Sequence, residues 1–156
     1  MMEYVKKMRE KIGHAPLLLV GAGIILYNDG KILLQKRADS GTWGIHGGCI
    51  ELGESAEETA RREIFEEIGI TPNSLEFYGC FSGGENMHYF CVNGDEVYLV
   101  SIVYFCDSYS GDIKIDNSEV KEVQWFDIDK LPANLNKPVD SYILRGLQEF
   151  VKNRKG

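Results

Sequence analysis

The sequence lacks several features that would each point somewhere definite. It has no C-x-x-C pair: Cys49, Cys80, Cys91 and Cys106 are scattered, which argues against a zinc site. An even count permits disulfides, but a chain of 156 residues can build a core without them. Reduced thiols and a cytoplasmic location are therefore the expectation. There is no uncharged apolar run of the ~20 residues that span a bilayer. The nearest approach, Ala15 to Tyr27, is interrupted by Gly21 and Gly23. A basic segment precedes that run, as in a signal peptide. The run nevertheless leads straight into Asn28-Asp29-Gly30 and a second apolar stretch, the pattern of a hairpin rather than of a cleavage site.

Basic charge is also short. The formal net charge is −7, which argues against DNA or any long nucleic-acid backbone as partner. A small anionic substrate stays open, because a bound metal reverses the local field. The chain has no internal repeat, low-complexity tract or linker. One domain over residues 16–156 is expected, behind an N-terminal extension, residues 1–15, in which Met1 to Ile12 could form a helix. No G-x-S-x-G elbow or phosphate-binding P-loop is present.

What is present reads as strands and a few helices. Leu17 to Tyr27 and Lys31 to Lys36 are apolar runs flanking Asp29-Gly30, a hairpin signal. Ala38 to Gly53 is glycine-rich and reads as loop. Ser55-Ala56-Glu57-Glu58 is a capping box that opens a helix, and Gly69 just past Ile68 closes it. Leu75 to Ser82, His88 to Val92, Glu96 to Cys106 and Val123 to Asp127 read as strands, with Asn93-Gly94 as a second hairpin turn. After Pro138, Val139, Ile143, Leu147, Phe150 and Val151 recur at helical spacing. The sum is an α+β fold, a mixed sheet sandwiched between helices.

The acid is concentrated. Between Glu51 and Glu67 stand seven glutamates against two arginines. On a wheel at about 100° per residue, Glu63, Glu66 and Glu67 share one helix face, while Ile64, Phe65 and Ile68 form the expected buried face. Like charges at these spacings repel by about 0.2–0.5 kcal/mol per pair. A hard divalent cation turns that repulsion into a binding site. A solvated glutamate face is the plain alternative for the helix taken alone.

The longer spacing decides between them. Gly48, five residues, Glu54, seven residues, then Arg62-Glu63-Ile64-Phe65-Glu66-Glu67-Ile68-Gly69-Ile70 resembles the signature box of the Nudix (MutT-like) hydrolase family at every position. At ordinary residue usage a chance match is rarer than about one in a million. The Trp43-Gly44 approach and Trp125-Phe126 followed by Leu131-Pro132 also look like parts of such a domain, so the resemblance covers roughly Pro16 to Leu147. It implies a mixed sheet between helices and hydrolysis of a nucleoside diphosphate linked to another moiety. Water activated by Mg²⁺, with Mn²⁺ able to substitute, attacks phosphorus. It carries the metal-binding role to Glu63, Glu66 and Glu67, with Gly48 offering a carbonyl and Glu54 joining the network. Arg62 matches the arginine that orients the carboxylates.

Further residues outside these positions are candidates. The family often draws another glutamate from the loop before the late Trp-Phe strand, as metal ligand or general base. Glu119, in Asp116-Asn117-Ser118-Glu119, is preferred here over Glu122. Arg37 ends the second strand where a cation could meet phosphate. His46-Gly47-Gly48 stands where the family usually has a proline before the two glycines. His46 and Gly47 are candidate substrate contacts; a packed loop histidine is the competing reading of His46. Homodimers are common in the family, so a second copy is a conceivable partner. The resemblance also reaches relatives that bind nucleotides without cleaving them or that isomerise, but the complete box favours hydrolysis. No residue pattern selects the base or sugar.

Overall fold

The structure is a computed structural model that describes residues 3–115 and 118–155, with the backbone alone for Lys155. Met1, Met2 and Gly156 lie outside the described residues, as do Asp116 and Asn117 of the loop before Glu119. Helix α1 spans Glu3–Ile12. Strands β1 (Leu17–Asn28) and β2 (Lys31–Arg37) follow, joined at the expected Asp29-Gly30 turn, with Asp29 at φ 46°. Two short strands, β3 (Trp43–Gly44) and β4 (His46–Cys49), precede helix α2 (Ala56–Ile68). Then come β5 (Thr71–Pro72), β6 (Glu76–Phe81), a 3₁₀ turn, β7 (His88–Phe90) and β8 (Glu96–Cys106). Strands β9 (Tyr109–Ser110) and β10 (Val120–Asp127) lead to helices α3 (Val139–Leu144) and α4 (Leu147–Lys155).

The main sheet runs β10-β2-β1-β8-β6, with β3, β4 and β7 attached to β2, β1 and β8. β1 and β8 are parallel over ten residue pairs and the other pairings are antiparallel, so the sheet is mixed, as expected. Successive side chains of a strand face opposite sides. Ala22, Ile24 and Leu26 of β1 pack with Leu33 against Ala60, Ile64 and Ile68 of α2. On the opposite side Ile25, Ile32, Leu34 and Phe105 pack against Ile143, Leu147 and Val151 of α3 and α4. Helix α1 covers Leu17, Leu19 and Val97 through Val5. No helix among the described residues is long and apolar enough to cross a membrane.

Three expectations need correction. The glycine-rich stretch is not all loop, because His46–Cys49 pairs with Gly21–Ile24 of β1. The buried face of α2 is Ala60, Ile64 and Ile68, whereas Phe65 is 59% exposed. The helix leans toward β4, which brings Glu63 and Glu67 under cover and leaves Phe65 outside. The last helix is broken between Leu144 and Leu147. There the Tyr78 hydroxyl donates to the Ile143 carbonyl at 2.6 Å, the acceptor that a continuous helix would use for the amide of Leu147.

His46 on β4 is fully buried. Burial keeps the imidazole neutral and pushes its pKa from 6.5 down to about 4. The folded value lies below the unfolded one, so this contribution to stability is complete above pH 6.5 and is lost as pH falls toward 4. Between pH 7 and pH 5 the linkage is worth roughly 2 kcal/mol. Because the raised Glu67 carboxyl acts with the opposite sign over the same window, the loss is read as a difference: on going from pH 7 to pH 5, urea unfolding should show the wild type losing about this much stability relative to His46→Asn. Equal pH dependence in the two proteins would mean that the ring is not held neutral.

Candidate active site

The site is built where α2 meets β4. Ser55 fixes the start of the helix: its hydroxyl accepts from the Glu58 amide at 3.1 Å, and the Glu58 carboxylate accepts from the Ser55 amide at 3.0 Å. Gly69, at φ 77°, ends it by donating a hydrogen bond from its amide to the Phe65 carbonyl. These caps set the phase of the helix. Gln35 on β2 and the Gly47-Gly48 backbone on β4 then line up beside its acidic side.

Arg62 lies among three carboxylates. Its Nε and Nη2 form a fork on Glu54 at 2.7 and 2.9 Å, and its Nη1 donates to Glu63 at 2.9 Å and to Glu66 at 3.2 Å. Glu54 also accepts from the Thr59 hydroxyl and the Glu51 amide. The Arg62 bonds, more than any other influence, hold the Glu54 carboxyl at about 2, and the same fork raises the Arg62 pKa. Glu54 is therefore a fixed anion whose charge is already compensated.

Glu63 and Glu67 are different. Both are 4% exposed. The Glu63 carboxylate lies directly over the Cα of Gly48, where a Cβ would stand 2.4 Å from Glu63 Cδ. Only glycine permits that approach. Glu67 accepts from the Gly47 amide on Oε1 and from Gln35 Nε2 on Oε2, each at 3.0 Å. Burial raises both carboxyls, Glu67 to about 8, with the charge of Glu63 adding to the effect on Glu67. The hydrogen bonds from Gln35 and Gly47 act in the opposite direction. Glu66 is about one-third exposed and points toward Arg62. The three box carboxylates thus stand in three different environments.

Two buried carboxylates that repel one another call for a cation or a proton. No group of three or more His, Cys, Asp or Glu side chains at metal-binding spacing occurs among the described residues. The donors at hand are the hard oxygens of Glu63 and Glu67 and backbone carbonyl oxygen, with Glu66 one helical turn away. That set suits a cation that keeps part of its water and shares the rest of its shell with phosphate, as Mg²⁺ does, and does not suit zinc.

The structure places the remaining candidates as follows. Glu119 is exposed in the turn before β10; its carbonyl accepts from the Ala38 amide, and its charge acts on Glu67. Glu122 is half exposed on β10 and pairs with Lys36 at 3.6 Å. Arg37 directs its guanidinium to Asp39 at 3.0 and 3.1 Å. His46 does not line the surface: Nδ1 is 2.8 Å from Gln35 Oε1 and Nε2 is 3.0 Å from the Leu33 carbonyl oxygen. This matches the packed histidine rather than a substrate contact. Gly47 meets Glu67 through its amide.

Sequence reading passed over Gln35. Its signal was a polar residue two positions after Leu33, hence on the strand face that meets α2. It also passed over Glu51, whose carboxylate accepts the Glu3 and Tyr4 amides at the start of α1, and Asp140. The buried Asp140 carboxylate ties α3 to the Ile45 amide and the Asn136 side chain.

Comparison with known proteins gives the family. Residues 17–147 match the model of the NUDIX domain. An ADP-ribose pyrophosphatase of Methanocaldococcus jannaschii is 33% identical over 69% of the chain and 61% of its own length. An oxidized purine nucleoside triphosphate hydrolase of Danio rerio is 34% identical over 70% of the chain and 66% of its own length. The chain thus spans less than two thirds of these relatives. The crystal structure of a MutT NUDIX hydrolase from Burkholderia pseudomallei superposes with a TM-score of 0.69 at 29% identity, covering 82% of this chain and 96% of that one. The chain belongs to the Nudix hydrolase family.

Proposed function

We propose that this protein hydrolyses the diphosphate linkage of a nucleoside diphosphate joined to another moiety, with a divalent cation, Mg²⁺ or in its place Mn²⁺, held by Glu63 and Glu67. The observation that carries this reading is the buried pair of carboxylates against the side-chain-free backbone of Gly47 and Gly48. Glu66 and the Gly48 carbonyl are the further donors, and Arg62, anchored on Glu54, keeps Glu63 and Glu66 in place. The cation, when bound, neutralises phosphate charge and lowers the pKa of a coordinated water. Glu119, whose charge already acts on Glu67, is assigned as acceptor of the water's proton. In the reaction a water oxygen bonds to phosphorus, the bridging P–O bond breaks, and the leaving group departs as a phosphate.

The relatives support the class and not a single substrate. One is named for ADP-ribose and another for oxidized purine nucleoside triphosphates. A phosphoanhydride is common to both, and the box faces that shared part. The moiety beyond the phosphates is chosen by residues outside it.

Two tests follow. Glu67→Gln keeps the shape and removes a ligand charge, so turnover of a nucleotide panel should fall at least ~100-fold with the fold intact by circular dichroism. Chelation with EDTA should abolish wild-type activity and Mg²⁺ should restore it. Undiminished turnover in Glu67→Gln, or in excess EDTA, would sink the metal assignment. Gly48→Ala forces the Glu63 carboxylate off its position, so kcat/KM should drop on the order of 10²-fold. The melting temperature should shift by only a few degrees, roughly within 1 kcal/mol of stability. An active Gly48→Ala enzyme would show that Glu63 need not lie against Gly48.

A further inference from the structure

Behind Glu67 lies a buried chain of polar groups that no part of the hydrolytic reading uses. Gln35, 6% exposed, donates from Nε2 to Glu67 Oε2. Its other end, Oε1, is 2.8 Å from Nδ1 of the fully buried His46. We propose that Gln35 and His46 are positioning residues that hold the Glu67 carboxylate in its cation-binding orientation without consuming its charge. This rests on the reading of Glu67 as a metal ligand.

Glu54 and Glu67 are held in contrasting ways. Glu54 is gripped by the guanidinium of Arg62, which fixes it and cancels its charge. Glu67 is gripped by two neutral donors, the Gly47 amide and the Gln35 amide, one on each oxygen. Neutral donors stop the carboxylate from rotating and leave its negative charge for a cation. A cationic side chain at position 35 would fix the carboxylate equally well and compete with the metal for it.

An amide, however, has a donor end and an acceptor end of nearly the same shape. Turned over, Gln35 would present its carbonyl oxygen to Glu67 and repel it. His46 is what selects the orientation. With its N–H on Nδ1 it donates to Gln35 Oε1, and no other donor to that oxygen is found among the described residues. An N–H on Nε2 would instead serve the Leu33 carbonyl. The two acceptors compete for the one proton of a neutral ring, and on this reading it sits on Nδ1 when Glu67 is ionised, at the cost of leaving Nε2 without a proton beside the Leu33 carbonyl oxygen at 3.0 Å.

The test is direct Mn²⁺ binding, followed by the relaxation enhancement of water protons, on the intact protein and three variants. Gln35→Met keeps the volume and removes the amide; affinity should weaken 10–100-fold, the usual cost of deleting a group behind a metal ligand. His46→Asn places an amide nitrogen near the Nδ1 position and should stay within about 3-fold of wild type. His46→Gln places it near Nε2 and should weaken binding like Gln35→Met. Steady-state kinetics should show the metal activation constant rising while kcat at saturating metal changes little. Wild-type affinity in Gln35→Met would overturn the proposal, and equal behaviour of the two His46 variants would remove His46 from it. A wild-type protein that binds no Mn²⁺ is a different result: it refutes the metal reading itself.

Discussion

Everything in this site depends on how closely α2 approaches β4. A strand that faced the helix with ordinary side chains would hold it at side-chain distance. At Gly47 and Gly48 there are none, so the carboxylates of Glu63 and Glu67 rest on strand backbone. The same absence lets β4 press onto β1, where a Cβ on Gly47 would stand 2.4 Å from the Ala22 carbonyl oxygen. One pair of glycines therefore sets two spacings, strand to strand and helix to strand. Both are fixed before any ligand arrives. The apolar contact of Ala60, Ile64 and Ile68 with β1 supplies the force that keeps the helix down.

Within that frame the glutamates are sorted by what compensates them. Glu54 has Arg62 in a bidentate fork, a charge-assisted arrangement that is strong and directional. It is a fastening. Glu63 and Glu66 share what remains of the same guanidinium, so Arg62 ties the loop before the helix to the second turn of the acidic face. Among the described residues Glu67 has neutral amides alone as hydrogen-bond donors. The gradient runs from a carboxylate held ionised at Glu54 to a buried one at Glu67 that burial pushes toward its protonated form, and the opposite directions in which their pKa values move express it.

Much of this was legible in the sequence, for reasons that can be named. Hairpin turns at Asp29-Gly30 and Asn93-Gly94 are local, because the turn geometry needs those residue types. The capping box at Ser55 is local too. The spacing from Gly48 to Ile70 was legible as a pattern, and the structure brings its Gly48, Glu54, Arg62 and Glu63 into contact. What was not legible depends on contacts distant in sequence. Glycine in β4 reads as loop unless one knows that a helix carboxylate will occupy its missing side chain. Phe65 reads as core until the tilt of α2 toward β4 is known. The interruption of the last helix is set by a tyrosine 65 residues away. Gln35 looks like the polar end of a strand, and only the structure brings it to Glu67.

The arrangement also explains why the site sits on the sheet rather than on a loop. Two carboxylates at 4% exposure oppose folding whenever nothing neutralises them. A flexible segment would relieve that cost by turning them out to water. Here they cannot turn out, because their helix is capped at both ends and held to β1 by fully buried Ala60, Ile64 and Ile68, and because Glu67 is tied at both oxygens. The core thus supplies the stability that the site consumes, and on the proposed reading the charge left over once Arg62 has paired with Glu63 is what a cation would bind. A fold that let these side chains relax would be more stable without metal and a poorer binder of it.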